Sequence, residues 1–136
     1  MFSAPLASRQ AQAYRTVDAH TAVDAAQPAR LIVLLFDALG EAIAAAEGAM
    51  QRGDVQAKCQ AIARALRLID EGLAPAVDLQ RGGPLARDLR ELYHFATVRL
   101  MQANLRNDAR SLAECRAVIE PLRSAWHDLA AQHGGR

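Results

Sequence analysis

The sequence predicts an all-α protein, an antiparallel up-down four-helix bundle with a short, possibly helical segment ahead of it. Three observations carry this. The chain is rich in Ala, Leu and Arg and poor in β-branched residues, a composition of strong helix formers. Apolar residues recur at three- and four-residue spacing through four long stretches, as amphipathic helices require. The links between those stretches are short and carry Gly, Pro, Asn or Asp, and short links force long helices to pack antiparallel to their neighbours.

The 136 residues suffice for one domain with a real core and are too few for two. Residues 1–27 hold no sustained amphipathic period before Ala11–Val17 and read as a flexible or short-helical segment. The bundle spans 28–131, and 132–136 form a disordered tail. Pro28 suits the first turn of the first helix, where its missing N–H removes no intrahelical bond. Gly53-Asp54 reads as a C-terminal cap followed directly by an N-cap. Gly82-Gly83-Pro84 marks the second turn and Asn107-Asp108 the third, with Asp108 the N-cap of the last helix. The helices are therefore placed at 28–51, 54–79, 84–105 and 108–131. Pro75 lies inside the second, cannot donate to the carbonyl of Glu71, and should kink or break it.

At about 100° per residue the first helix gathers Leu31, Ile32, Leu35, Phe36, Leu39, Ala42, Ile43, Ala46 and Met50 on one arc, leaving Val33 and Leu34 outside it. The second has its core face on Val55, Cys59, Ile62, Leu66, Ile69, Leu73 and Val77, with Ala57, Ala61 and Leu68 nearly opposite. The third uses Leu85, Leu89, Leu92, Ala96, Leu100 and Ala103. Away from that face run Phe95, Val98, Met101 and Leu105, a second stripe. The last helix collects its apolar residues, Trp126 included, on one side and needs nothing beyond the bundle. Surplus apolar surface on three helices points to a partner that covers it, either a chain laid along helix grooves or a second copy in a self-associating bundle.

Other chemistry fits poorly. A formal charge of +1 with scattered arginines argues against phosphate-driven nucleic-acid binding. Cys59 and Cys115 form no disulfide framework and read as small core residues of a reducing compartment. The histidines are dispersed, no inward Glu-x-x-His pair appears, and no phosphate loop or nucleophile motif occurs, so no cofactor, metal or catalysis is expected. Asp37 interrupts the most apolar stretch; its angular position favours a solvated charge on the outer side over a pairing with an arginine. Met1–Ser8 lacks the n- and h-regions of a secretory signal, and no apolar run reaches membrane-spanning length. A cytoplasmic protein is expected.

The order of several short motifs resembles the flagellar secretion chaperone family (FliS). Ala13-Tyr14 is similar to its N-terminal Ala-Tyr. Pro28-Ala29-Arg30-Leu31-Ile32-Val33-Leu34-Leu35-Phe36-Asp37 resembles Pro-x-x-Leu-Ile-x-x-Leu-Tyr-Asp, and Val77–Gly83 resembles Leu-Asp-x-x-x-Gly-Gly. Leu92-Tyr93, Arg99-Leu100, Ala103-Asn104 and Trp126 stand where the family has Leu-Tyr, Arg-Leu, Ala-Asn and a late Trp. The chain departs from the pattern at Phe36, which lacks the family's hydroxyl, at Ala38-Leu39 in place of Gly-Ala, and at Pro75. The resemblance implies a cytoplasmic chaperone that binds the disordered C-terminal segment of flagellin and keeps it from polymerising. It further implies delivery to the export gate through the cytoplasmic domain of FlhA, and a groove open to a second client such as the flagellar anti-sigma factor. Tyr14, in an N-terminal segment that can cover part of the groove, joins the surplus residues as a partner contact. A monomer or weak homodimer is expected.

Overall fold

A computed structural model describes residues 27–134. The expected N-terminal segment with Tyr14 lies outside them, as do the last two residues. The described chain is all-α: α1 (Gln27–Arg52), α2 (Val55–Arg67) running on as a π-helical stretch (Leu68–Leu73), α3 (Leu79–Arg106) and α4 (Ala109–Gly134). α1 packs on α2 and α4, α3 packs on α4, and the α2–α3 seam is the thinnest.

Two turns share one design. After α1, Gly53 takes φ 71°, its N–H donates to Met50 O at 3.2 Å, and Asp54 N–H donates to Ala49 O at 2.9 Å. This pairing satisfies carbonyls that the helix end would otherwise leave open. Asp54 then caps α2 by accepting from Ala57 N–H at 3.1 Å. After α3, Asn107 takes φ 53° and Asp108 N–H donates to Ala103 O at 3.2 Å. Asp108 accepts from Arg110 N–H at 3.0 Å and from the Ser111 hydroxyl at 3.1 Å.

The α2–α3 connection differs from the expected continuous helix over 54–79. Ahead of Pro75 the helix widens, Ala74 N–H donating to Ile69 O at 2.8 Å, five residues back, and the chain then leaves the helix after Leu73. Proline ends the helix here, as its missing donor and ring clash require. Gly72 fits this point because a Cβ there would lie 3.0 Å from Leu35 Cδ2 of α1. Leu79–Gly82 starts a helical turn that Gly83 breaks at φ 59°, ψ −143°, and the regular part of α3 begins at Pro84. At the other end α4 continues through Gly134, so 132–134 of the expected disordered tail are helical.

The core joins Phe36, Leu39 and Ile43 with Ile62, Ile69 and Leu73, Leu89, Tyr93 and Leu100, and Leu112, Ile119 and Trp126. Each such side chain contributes about 1.5–3 kcal/mol on burial. Buried Ala42, Ala46 and Ala49 keep one face of α1 thin, so its neighbours can approach closely.

Several face assignments are corrected. Val33, expected to be surplus, is buried, whereas Leu31, expected in the core, is exposed. The first turns of α1 lie where few helices enclose it, and its inward direction there is set by α2 and α4 together. Tyr93 is buried and Leu92, assigned to the core, is partly exposed at the α3–α4 seam. Val55 and Cys59 are exposed because the first turn of α2 directs Lys58 inward in their place. Ala61 and Leu68, placed opposite the core, are half-buried and packed against it, and Ala57 is half-buried too. α2 is short and flanked by α1 and α3, so both of its sides meet neighbours.

Candidate partner-binding face

Polar contacts separate the two sides of the bundle. Along α1–α4, Asp37 Oδ1 accepts from Arg123 Nε at 2.8 Å and lies 2.7 Å from His127 Nε2. Asp37 is thus paired, contrary to the expected solvated charge, because the α4 face it meets carries Arg123 and His127 one turn apart. Burial alone would raise its pKa. Hydrogen bonds and charge from His127 and Arg123 outweigh that and hold the carboxyl below its ordinary value. Farther along the same seam Glu47 forms a two-pronged pair with Arg116, the geometry that favours arginine.

The α2–α3 seam holds a different device. Lys58, the sole lysine, is buried; its ammonium donates to Asn104 O and to Asn107 Oδ1, each at 3.1 Å. A cation on a carbonyl of the last turn of α3 also opposes the negative end of the helix dipole. Beside it the Cys59 thiol donates to Asn104 Oδ1 at 3.2 Å. The Lys58 contact was not foreseen, the sole lysine of the chain being the available signal, and the pairing of Asp37 with an arginine was the reading the sequence ranked second.

The outer face of α3 carries the predicted stripe. Phe95 is 40% exposed, Met101 56% and Leu105 83%, while Val98 between them is half-buried. The stripe crosses the helix obliquely. At its N-terminal end Phe95 turns toward Val118 of α4, and at its C-terminal end it runs beside Asn104, which reaches α2. Arg99 stacks on Phe95, its guanidinium carbon 5.3 Å from the ring centroid, and pairs with Glu114 Oε1 of α4 at 3.2 Å. Leu31 and Leu34 form a second exposed patch at the start of α1. Of the remaining motif residues, Phe36, Tyr93 and Trp126 are core, and Asn104 belongs to the α2–α3 seam. Among the described residues no three His, Cys, Asp or Glu side chains gather as a metal site needs. No described helix is long and apolar enough to cross a membrane.

Comparison with known proteins gives these features a family. The family model for flagellar protein FliS matches residues 10–133. The flagellar secretion chaperone FliS of Salmonella typhimurium is 39% identical over 88% of this chain and 88% of its own. The FliSB chaperone of Pseudomonas aeruginosa is 38% identical over 86% of this chain and 92% of its own. The Escherichia coli FliS is 32% identical over 90% of both chains. An all-α bundle with an exposed apolar stripe on α3 agrees with that match: the chain belongs to the FliS family and serves flagellar export as a chaperone, not as an enzyme.

Proposed function

We propose that this chaperone acts in the cytoplasm on flagellin, binding its disordered C-terminal segment, blocking premature polymerisation and presenting the loaded complex to the cytoplasmic domain of FlhA. The observation that carries the reading is the uncovered Phe95–Leu105 stripe on α3. Covering Leu105 contributes about 1.5–3 kcal/mol, and Phe95 and Met101, already partly buried, about half as much each, before ordering costs. A disordered client meets those costs by wrapping a large surface. In this reading Val98, Ala57, Ala61 and Leu68 line the inner edge of the track, Leu34 extends it on α1, and Tyr14 belongs to a segment that shields apolar surface until the client arrives. The flagellar anti-sigma factor is a second client of the same face, to be tested by competition.

The test is co-purification with a flagellin C-terminal segment. A one-to-one complex is expected, weakened by Met101→Asp while the helical melt stays unchanged. Folded chaperone that binds no flagellin tail overturns the reading. Sedimentation of the client-free chain at several concentrations separates it from self-association, in which the stripe would be covered by a second copy.

A further inference from the structure

We propose that the trough between α3 and α4 is a preformed pocket for a large apolar side chain carried next to a basic residue of the bound chain. This rests on the reading that a client polypeptide covers the outer face of α3. The trough holds about 470 Å³, is floored by Leu92 and Phe95 of α3 and Val118 of α4, and is rimmed by Asp88 and Glu91. The trough is broadly open to solvent rather than enclosed, which suits a side chain of a polypeptide lying across it.

The aromatic wall is oriented by its neighbours. Arg99, one turn along α3, lies over the Phe95 ring at 5.3 Å. Arg99 pairs in turn with Glu114 across the seam at 3.2 Å. A wall already oriented in this way lowers the entropy cost of binding.

Charge then selects the occupant. Asp88 and Glu91 are exposed and make no hydrogen bond or ion pair with another described residue. Arg99, the cation beside the floor, is already committed to Glu114. Neither carboxylate is paired with a described residue, although Arg87 stands one turn before Glu91 on α3, and a further carboxylate placed between Asp88 and Glu91 would be repelled. A lysine or arginine of the client can lay its stem along the apolar floor and its head group on the rim.

The experiment titrates the full chain with the flagellin C-terminal segment at several salt concentrations. It compares wild type, Asp88→Asn/Glu91→Gln, Leu92→Asp and Met101→Asp, with a thermal melt of each. For the double variant we expect an affinity about three- to tenfold lower at low salt and a shallower salt dependence. Leu92→Asp should weaken binding about tenfold or more. If wild type binds and Met101→Asp does not, yet Leu92→Asp binds as wild type, the pocket is overturned and the stripe stands. If Leu92→Asp weakens binding but the double variant keeps wild-type affinity and salt dependence, the basic neighbour is overturned. If wild type binds nothing, the flagellin reading fails and the pocket falls with it.

Discussion

The α1–α4 seam is closed by charge pairs at two levels, whereas the α2–α3 seam is held at one level by a buried lysine and borders exposed apolar surface. At Asp37 and Glu47 the bundle uses carboxylate–guanidinium pairs to align helices whose cores already fit. Such partly exposed pairs contribute little to stability; they fix register and leave that side polar. On the other side Lys58 and Cys59 meet Asn104 near the end of α3, and among the described residues no comparable polar contact joins α2 to α3 alongside Val98 and Met101. A seam closed by charge pairs and a thinner one thus sit on opposite sides of one core, and the thinner one borders the exposed apolar stripe of α3.

That contrast can be broken in graded steps. The largest difference should appear in thiol labelling. Cys115 is buried in the core side of α4 and its pKa is pushed up to about 12, mainly by burial. Its thiolate fraction at pH 8 is then about 10⁻⁴. Exposed Cys59 should accept one equivalent of a thiol reagent at once, and the second equivalent should require denaturant. Next is the client face: Met101→Asp should lower affinity for the flagellin tail tenfold or more, with stability within about 0.5 kcal/mol of wild type.

Lys58→Met should cost about 1–3 kcal/mol in urea unfolding, because the Asn104 carbonyl and the Asn107 amide oxygen lose a buried donor. Asp37→Asn should cost less, about 0.5–1 kcal/mol. The native pKa of Asp37 is depressed, so its contribution is present above the ordinary carboxylate value and is lost as pH falls through the lowered one. The gap between wild type and Asp37→Asn in urea midpoint should therefore close in acid. A gap that persisted would assign the effect to packing.

Turn chemistry was the most legible part of the sequence. Gly53-Asp54 and Asn107-Asp108 each name a left-handed residue followed by a capping carboxylate, a local code that packing does not overrule. Pro75 marked the break in the second helix, and the Phe95–Leu105 stripe was readable because α3 keeps a regular period from Pro84 onward. Helix phase near element ends was harder to read. A fixed 100° step cannot follow α2 into the wider turns of Leu68–Leu73, and it cannot tell which neighbours enclose the first turns of α1, where Val33 and Leu31 exchanged roles. Pairings such as Asp37 with Arg123 and His127 bring together residues far apart in the chain, and no local pattern encodes them.

The two matching turns have a mechanical consequence. They place both hairpin bends at one pole, and Lys58 rivets one hairpin to the other there. The opposite pole holds the irregular joints: the π-turn, Pro75 and the kink at Gly83. There the end of α2 is pressed onto α1 where Gly72 meets Leu35, and α1 is tied in turn to α4 through Asp37, so one pole is braced by a riveted pair of turns and the other by close packing.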